Sequence, residues 1–81
     1  MRTAPVKISY ALDTEDEILI LIHDVRGHLV RTLFAGRQTP GSHAAAWDGT
    51  DDFGMRVASG TYVYTLVTGS KRTSRKMALV R

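Results

Sequence analysis

Three aspartates stand close together in the segment "WDGTDDFG", at Asp48, Asp51 and Asp52, and are the first residues whose type and spacing could do chemistry. Clustered carboxylates can bind calcium, which takes six to eight oxygen ligands from side chains, carbonyls and water. An EF-hand loop counted from Asp48 would need glycine at its sixth position and glutamate at its twelfth. Those positions hold Phe53 and Ser59. The spacing instead favours successive turns in which Asp48 and Asp51 accept hydrogen bonds from nearby backbone N–H groups, with Gly49 and Gly54 supplying left-handed conformations. The three aspartates remain weak metal candidates, and no cofactor is expected.

Other groups with chemical potential lead to similar readings. Trp47, Tyr62 and Tyr64 could form a stacking platform for sugars. However, Tyr62 and Tyr64 alternate in register with Leu66, as the core face of a strand does. His23, His28 and His43 do not have the H-x-x-x-H spacing of a helical metal site, and the serines include no G-x-S-x-G elbow. Enzymatic activity is not expected. The basic residues Lys71, Arg72, Arg75, Lys76 and Arg81 are not interleaved with aromatics as in many nucleic-acid binders. They suit an edge strand, where positive charge discourages sheets from pairing edge to edge. The stretch Arg75, Lys76, Met77 and Leu79 is the candidate interaction edge, with a protein partner expected and no nucleic acid.

These residues need strands to position them. "VKISYAL" alternates as a half-buried strand, and "EILILIHD" is apolar on both faces, as a central strand would be. "DVRG", with Gly27 at a positive φ, closes a hairpin onto "HLVRTLFA". A loop "GRQTPG" leads to "SHAAAWD", which brings Trp47 to a strand end. "TYVYTLVTG", entered at Gly60, and "RTSRKMALVR" complete the list, and the brief "RVA" would be a seventh strand. Six or seven strands separated by turns predict an all-β, immunoglobulin-like (fibronectin type III-like) antiparallel β-sandwich. One domain is expected over residues 1–81, with its core roughly over 5–80.

The 81 residues carry a net charge of +3 and no cysteine, so neither a disulfide nor a thiolate site is available. No secretory signal and no membrane-length apolar run occurs. If the protein is exported, its signal is expected to lie outside this chain.

Three segments in this order resemble a known family. They are the D-x-x-G-x-x-V-R-T-L hairpin (Asp24, Gly27, Val30, Arg31, Thr32, Leu33), G-x-H-x-x-x-W-D-G (Gly41, His43, Trp47, Asp48, Gly49) and S-G-x-Y-x-Y-x-L (Ser59, Gly60, Tyr62, Tyr64, Leu66). The chain resembles the immunoglobulin-like domain named after the flagellar hook-capping protein, and the related C-terminal sorting domains of type IX secretion. The resemblance implies a non-catalytic accessory module, the C-terminal domain of a larger exported bacterial protein. Such a module would act in sorting, surface attachment or protein–protein interaction, outside the cell or at its surface. The alternatives are a carbohydrate-binding module of a secreted enzyme and a scaffold domain of a hook-capping protein. The asparagine- and proline-rich lead-in of type IX sorting domains is missing, Ala4-Pro5 being its nearest counterpart, and so is the helical assembly region of a complete hook-capping protein.

Overall fold

The computed structural model describes residues 5–80; Ala4 and Arg81 lie outside them. The strands are β1 (Val6–Leu12), β2 (Asp16–Asp24), β3 (Leu29–Gln38), β4 (Gly41–Trp47), β5 (Gly60–Val67) and β6 (Arg72–Leu79). They form two antiparallel sheets, one of β1 and β4 and one in the order β3-β2-β5-β6. The fold is an all-β, immunoglobulin-like sandwich.

The doubly apolar strand β2 lies between β3 and β5. It buries Ile18, Ile20 and Ile22 on its inner face, while Leu19 stays partly exposed on the outer one. Each isoleucine buried this fully contributes about 1.5–3 kcal/mol relative to exposure. From the opposite sheet, Ile8 and Leu12 pack against Ile18 and Ile20, and Trp47 packs with Ile22, Tyr62 and Leu79. The core therefore draws side chains from both layers.

Strand β3 departs from simple alternation. In its pairing with β2, Ile20 faces Phe34, Leu21 faces Thr32, Ile22 faces Arg31 and His23 faces Leu29, so the register skips Leu33 and Val30. Each bulge adds a residue and re-aims its neighbours. Val30, Leu33 and Phe34 consequently all reach the core. Arg31 comes to lie on the inner side, beside the segment after Trp47.

Two sequence expectations need correction. "GRQTPG" is not a six-residue loop, because β3 continues through Gln38 before the chain crosses to the other sheet at Thr39-Pro40. Arg37 supports the extension by pairing with Glu15 at 2.6 Å and Glu17 at 3.8 Å. "RVA" is not a strand either; Arg56 makes only an isolated bridge to Thr50. Val57 N–H bonds to the Gly49 carbonyl, so this segment closes the loop back onto itself.

Candidate functional site

The segment from Trp47 to Gly60 connects the two sheets, and its polar side chains are spent on holding that connection. Trp47 is 0% exposed and Tyr62 7%. Their rings meet edge to face at 5.0 Å, and the indole Nε1–H donates to the Thr50 carbonyl at 2.9 Å. Burial of both rings takes Trp47 and Tyr62 out of the stacking platform that the sequence allowed. Tyr64 is half-buried and packs against both halves of the core.

Each aspartate has a separate structural task. Asp48 Oδ1 accepts from Thr50 N at 3.1 Å and Thr50 Oγ1 at 2.6 Å, with Arg31 Nη1 at 3.8 Å. The Thr50 hydroxyl bond holds the Asp48 carboxyl below its ordinary value. Partial burial opposes this, and the Thr50 backbone bond and the Arg31 charge add to it. Asp51 Oδ1 accepts from Phe53 N at 2.9 Å and Met55 N at 3.0 Å, closing a tight turn with Gly54 at φ +80°. Asp52 reaches a different element. Its N–H donates to the Val30 carbonyl at 3.1 Å, and its Oδ1 accepts from Thr32 N at 2.9 Å. The free side of β3 is thereby clasped by the corner.

The carboxylates do not converge, and among the described residues no group of three or more His, Asp or Glu could hold a metal ion. Beyond the corner, His28 Nδ1 lies 3.4 Å from Asp24, and the His43 ring contacts the Thr39 carbonyl and stacks on Tyr10 at 5.4 Å. Asp24 also accepts from the backbone N–H groups of Arg26 and His28 in the β2–β3 turn, where Gly27 has φ +88°. The backbone bond from His28 is the main reason its carboxyl is held below the ordinary value.

Several supporting residues carry no signal in simple alternation. Arg31 donates to Thr50 Oγ1 at 2.5 Å and approaches the Asp51 carbonyl at 3.5 Å, a contact that depends on the β3 bulges. Tyr62 Oη–H donates to the Ala58 carbonyl at 2.6 Å, four residues upstream. This is the tyrosine corner of immunoglobulin-like sandwiches, and S-G-x-Y after a loop is the signal that could have found it. Gly60 starts β5 opposite Leu79.

The candidate interaction edge divides. β6 is an edge strand, but Leu79 is 1% exposed and so unavailable to a partner, and Met77 packs against the core while staying partly exposed. Alternation places both on the inner face, whereas Lys76 is exposed on the outer one. Arg75 shares the inner side yet remains exposed. Phe53, 89% exposed, and Met55 project from the corner instead. Among the described residues no helix is long and apolar enough to cross a membrane.

Comparison with known proteins agrees with this geometry. A crystal structure of FlgD from P. aeruginosa superposes with a TM-score of 0.75 at 25% identity, over 94% of this chain and 58% of that one. The chain thus spans little more than half the length of the FlgD chain it matches. No curated protein matches at a significant level. The type IX sorting domains receive no support from these matches. The profile of the FlgD Ig-like domain, a family of structural rather than enzymatic proteins, matches residues 2–72, and the chain belongs to that family.

Proposed function

We propose that this chain is a scaffold domain of a flagellar hook-capping protein, a non-catalytic module that binds other proteins during assembly outside the cytoplasm. The observation that carries this reading is the family match over residues 2–72, joined to the likeness to FlgD over 94% of the chain. The chemistry of the corner is consistent with it, since the aspartates are occupied as backbone acceptors. The exposed apolar tip of Phe53 and Met55 offers a contact to a partner. The broader reading, an accessory module of some other exported protein, shares this surface-based mode of action.

The test is deletion of the codons for the whole domain from the parent gene, with hook assembly scored by electron microscopy and motility in soft agar. Loss of hooks, restored by the intact gene, is the expected outcome. Normal hooks and motility would refute the assignment. Removing only "RKMALVR" is a poor substitute, because it takes Leu79 and Met77 out of the core.

A further inference from the structure

The charges of this chain are segregated along its sequence. All eight Asp and Glu residues lie at or before Asp52, whereas six of the eleven Lys and Arg residues follow it. Strands β5 and β6 come entirely from the acid-free stretch, so the fold gathers this excess on one side. Pairing with β5 puts Arg72 opposite Val67 and Lys76 opposite Val63, on the outer face of the four-stranded sheet. Neither cation forms an ion pair among the described residues.

Beside this basic row the outer face is apolar. Leu19 stands between Ala35 and Val67, Leu21 between Thr32 and Thr65, and His23 between Leu29 and Val63. Leu19 is 38% exposed, and Leu21, Val63 and Val67 are partly so. Leu19, Ala35 and Val67 also line a shallow hollow of about 450 Å³. Thr65, in the middle of the face, is already buried, and its hydroxyl is paired with Ser74 at 2.9 Å. A covering layer would therefore strand no polar group there. The outer face of the β1–β4 sheet is different, presenting Lys7, Ser9, Ala11, Ser42, Ala44 and Ala46. Only the four-stranded sheet joins large apolar side chains into a contiguous outer patch, the kind of surface that marks an interaction site.

The shape and charge of the patch select its occupant. Main-chain groups on a sheet face are already spent within the ladder, so a partner must bring a backbone satisfied in itself. The apolar band is two strands wide, about 10 Å, which is the diameter of one α-helix with its side chains. Arg72 and Lys76 lie four residues apart on one row, about 13 Å, or a little over two helical turns. A second copy of this chain would not satisfy them, because Glu17 is the one carboxylate in the outer row of β2 and Arg37 approaches it at 3.8 Å. We propose that the outer face of the four-stranded sheet docks an amphipathic acidic helix of a partner protein. The helix lays its apolar side on Leu19, Leu21, Val63 and Val67 and sets carboxylates about two turns apart against Arg72 and Lys76.

The biological use of this face rests on the scaffold role proposed above, but its existence does not, and peptide binding tests it separately from hook assembly. The 81-residue chain, ¹³C-labelled at Leu and Val methyls, is titrated with a peptide of about 14 residues held helical by a side-chain staple. The peptide carries Leu along one face and Glu along one flank. A second peptide has Lys in place of Glu, and a third has central prolines that forbid the helix. The acidic helix is expected to shift the methyls of Leu19, Leu21, Val63 and Val67 and leave the buried Leu12 and Leu79 unmoved. Lys76→Glu, at an exposed position, and Leu19→Ala are each expected to weaken binding by roughly tenfold. Trp47 fluorescence verifies that both variants are folded. The proposal is overturned if the four methyls are unmoved at millimolar acidic helix, or if the Lys or proline peptide binds equally well. It is also overturned if the same methyls shift as the chain alone is concentrated, which would make a second copy the occupant.

Discussion

Replacing Tyr62 by phenylalanine isolates one hydrogen bond of the corner. The ring keeps its edge-to-face contact with Trp47, and only the Oη–H donated to the Ala58 carbonyl at 2.6 Å is lost. A hydrogen bond of this kind contributes about 0.5–1.5 kcal/mol net. Ala58 is exposed, so water can reach the abandoned carbonyl and the full penalty of a buried orphan is avoided. The expected loss is therefore about 1 kcal/mol. Against a total of about 4–12 kcal/mol for a chain of this size, that is substantial. It should lower Tm by about 4–8 °C. Urea unfolding followed by Trp47 fluorescence should show an earlier midpoint with unchanged slope, since the area exposed on unfolding hardly changes. Tyr64→Phe is the control, because that hydroxyl makes no hydrogen bond among the described residues and its removal should change stability by less than about 0.5 kcal/mol. Equal effects of the two substitutions would refute the assignment of a tyrosine corner.

Asp52→Ala should cost about 1 kcal/mol and speed hydrogen exchange at the Thr32 amide, with little change at amides of β6. Gly54→Ala should cost about 1–2 kcal/mol in chemical unfolding, because φ is +80° and no atom crowds the position, leaving backbone strain as the only penalty. The folded-state pKa of Asp48 is depressed, so its stabilisation is present above the unfolded value of about 3.9 and is lost as pH falls through the lower folded value. Asp48→Asn should accordingly flatten part of the decline in stability below about pH 4, as measured by Tm against pH. Acrylamide should quench Trp47 poorly in the folded chain and efficiently in urea, given its 0% exposure.

Where alternation is regular, the sequence is readable as structure. The isoleucines of β2 and the Tyr62-Tyr64-Leu66 row of β5 follow the two-residue period, and that period places them on the core side. It fails in β3, where two bulges turn Val30, Leu33 and Phe34 the same way. Nothing in "LVRTLF" marks a skipped residue, since a bulge is a property of the pair of strands and not of one of them. The corner shows the same division. The Asx turns at Asp48 and Asp51 bond residues two to four positions away and follow from local chemistry. The clasp of Asp52 on β3 spans twenty positions and arises only when the sheets meet. "RVA" has the composition of a strand but no strand to pair with, so it remains part of the loop.

The pairing of β1 with β4 also has a kinetic consequence. Val6 lies opposite Trp47, so this sheet cannot zip from a short turn as β2 and β3 can from Asp24–His28. Its closure entropy must be met while the intervening hairpin is already in place. We expect β2, β3 and β5 to pair in the folding transition state and the β1–β4 sheet to dock afterwards, with overall folding in milliseconds to seconds, typical of non-local β topologies. Destabilising changes at Ala45 should therefore act mainly on the unfolding rate, and those at Ile20 on the folding rate. A slowed folding limb for Ala45→Gly in a chevron plot would reverse that order.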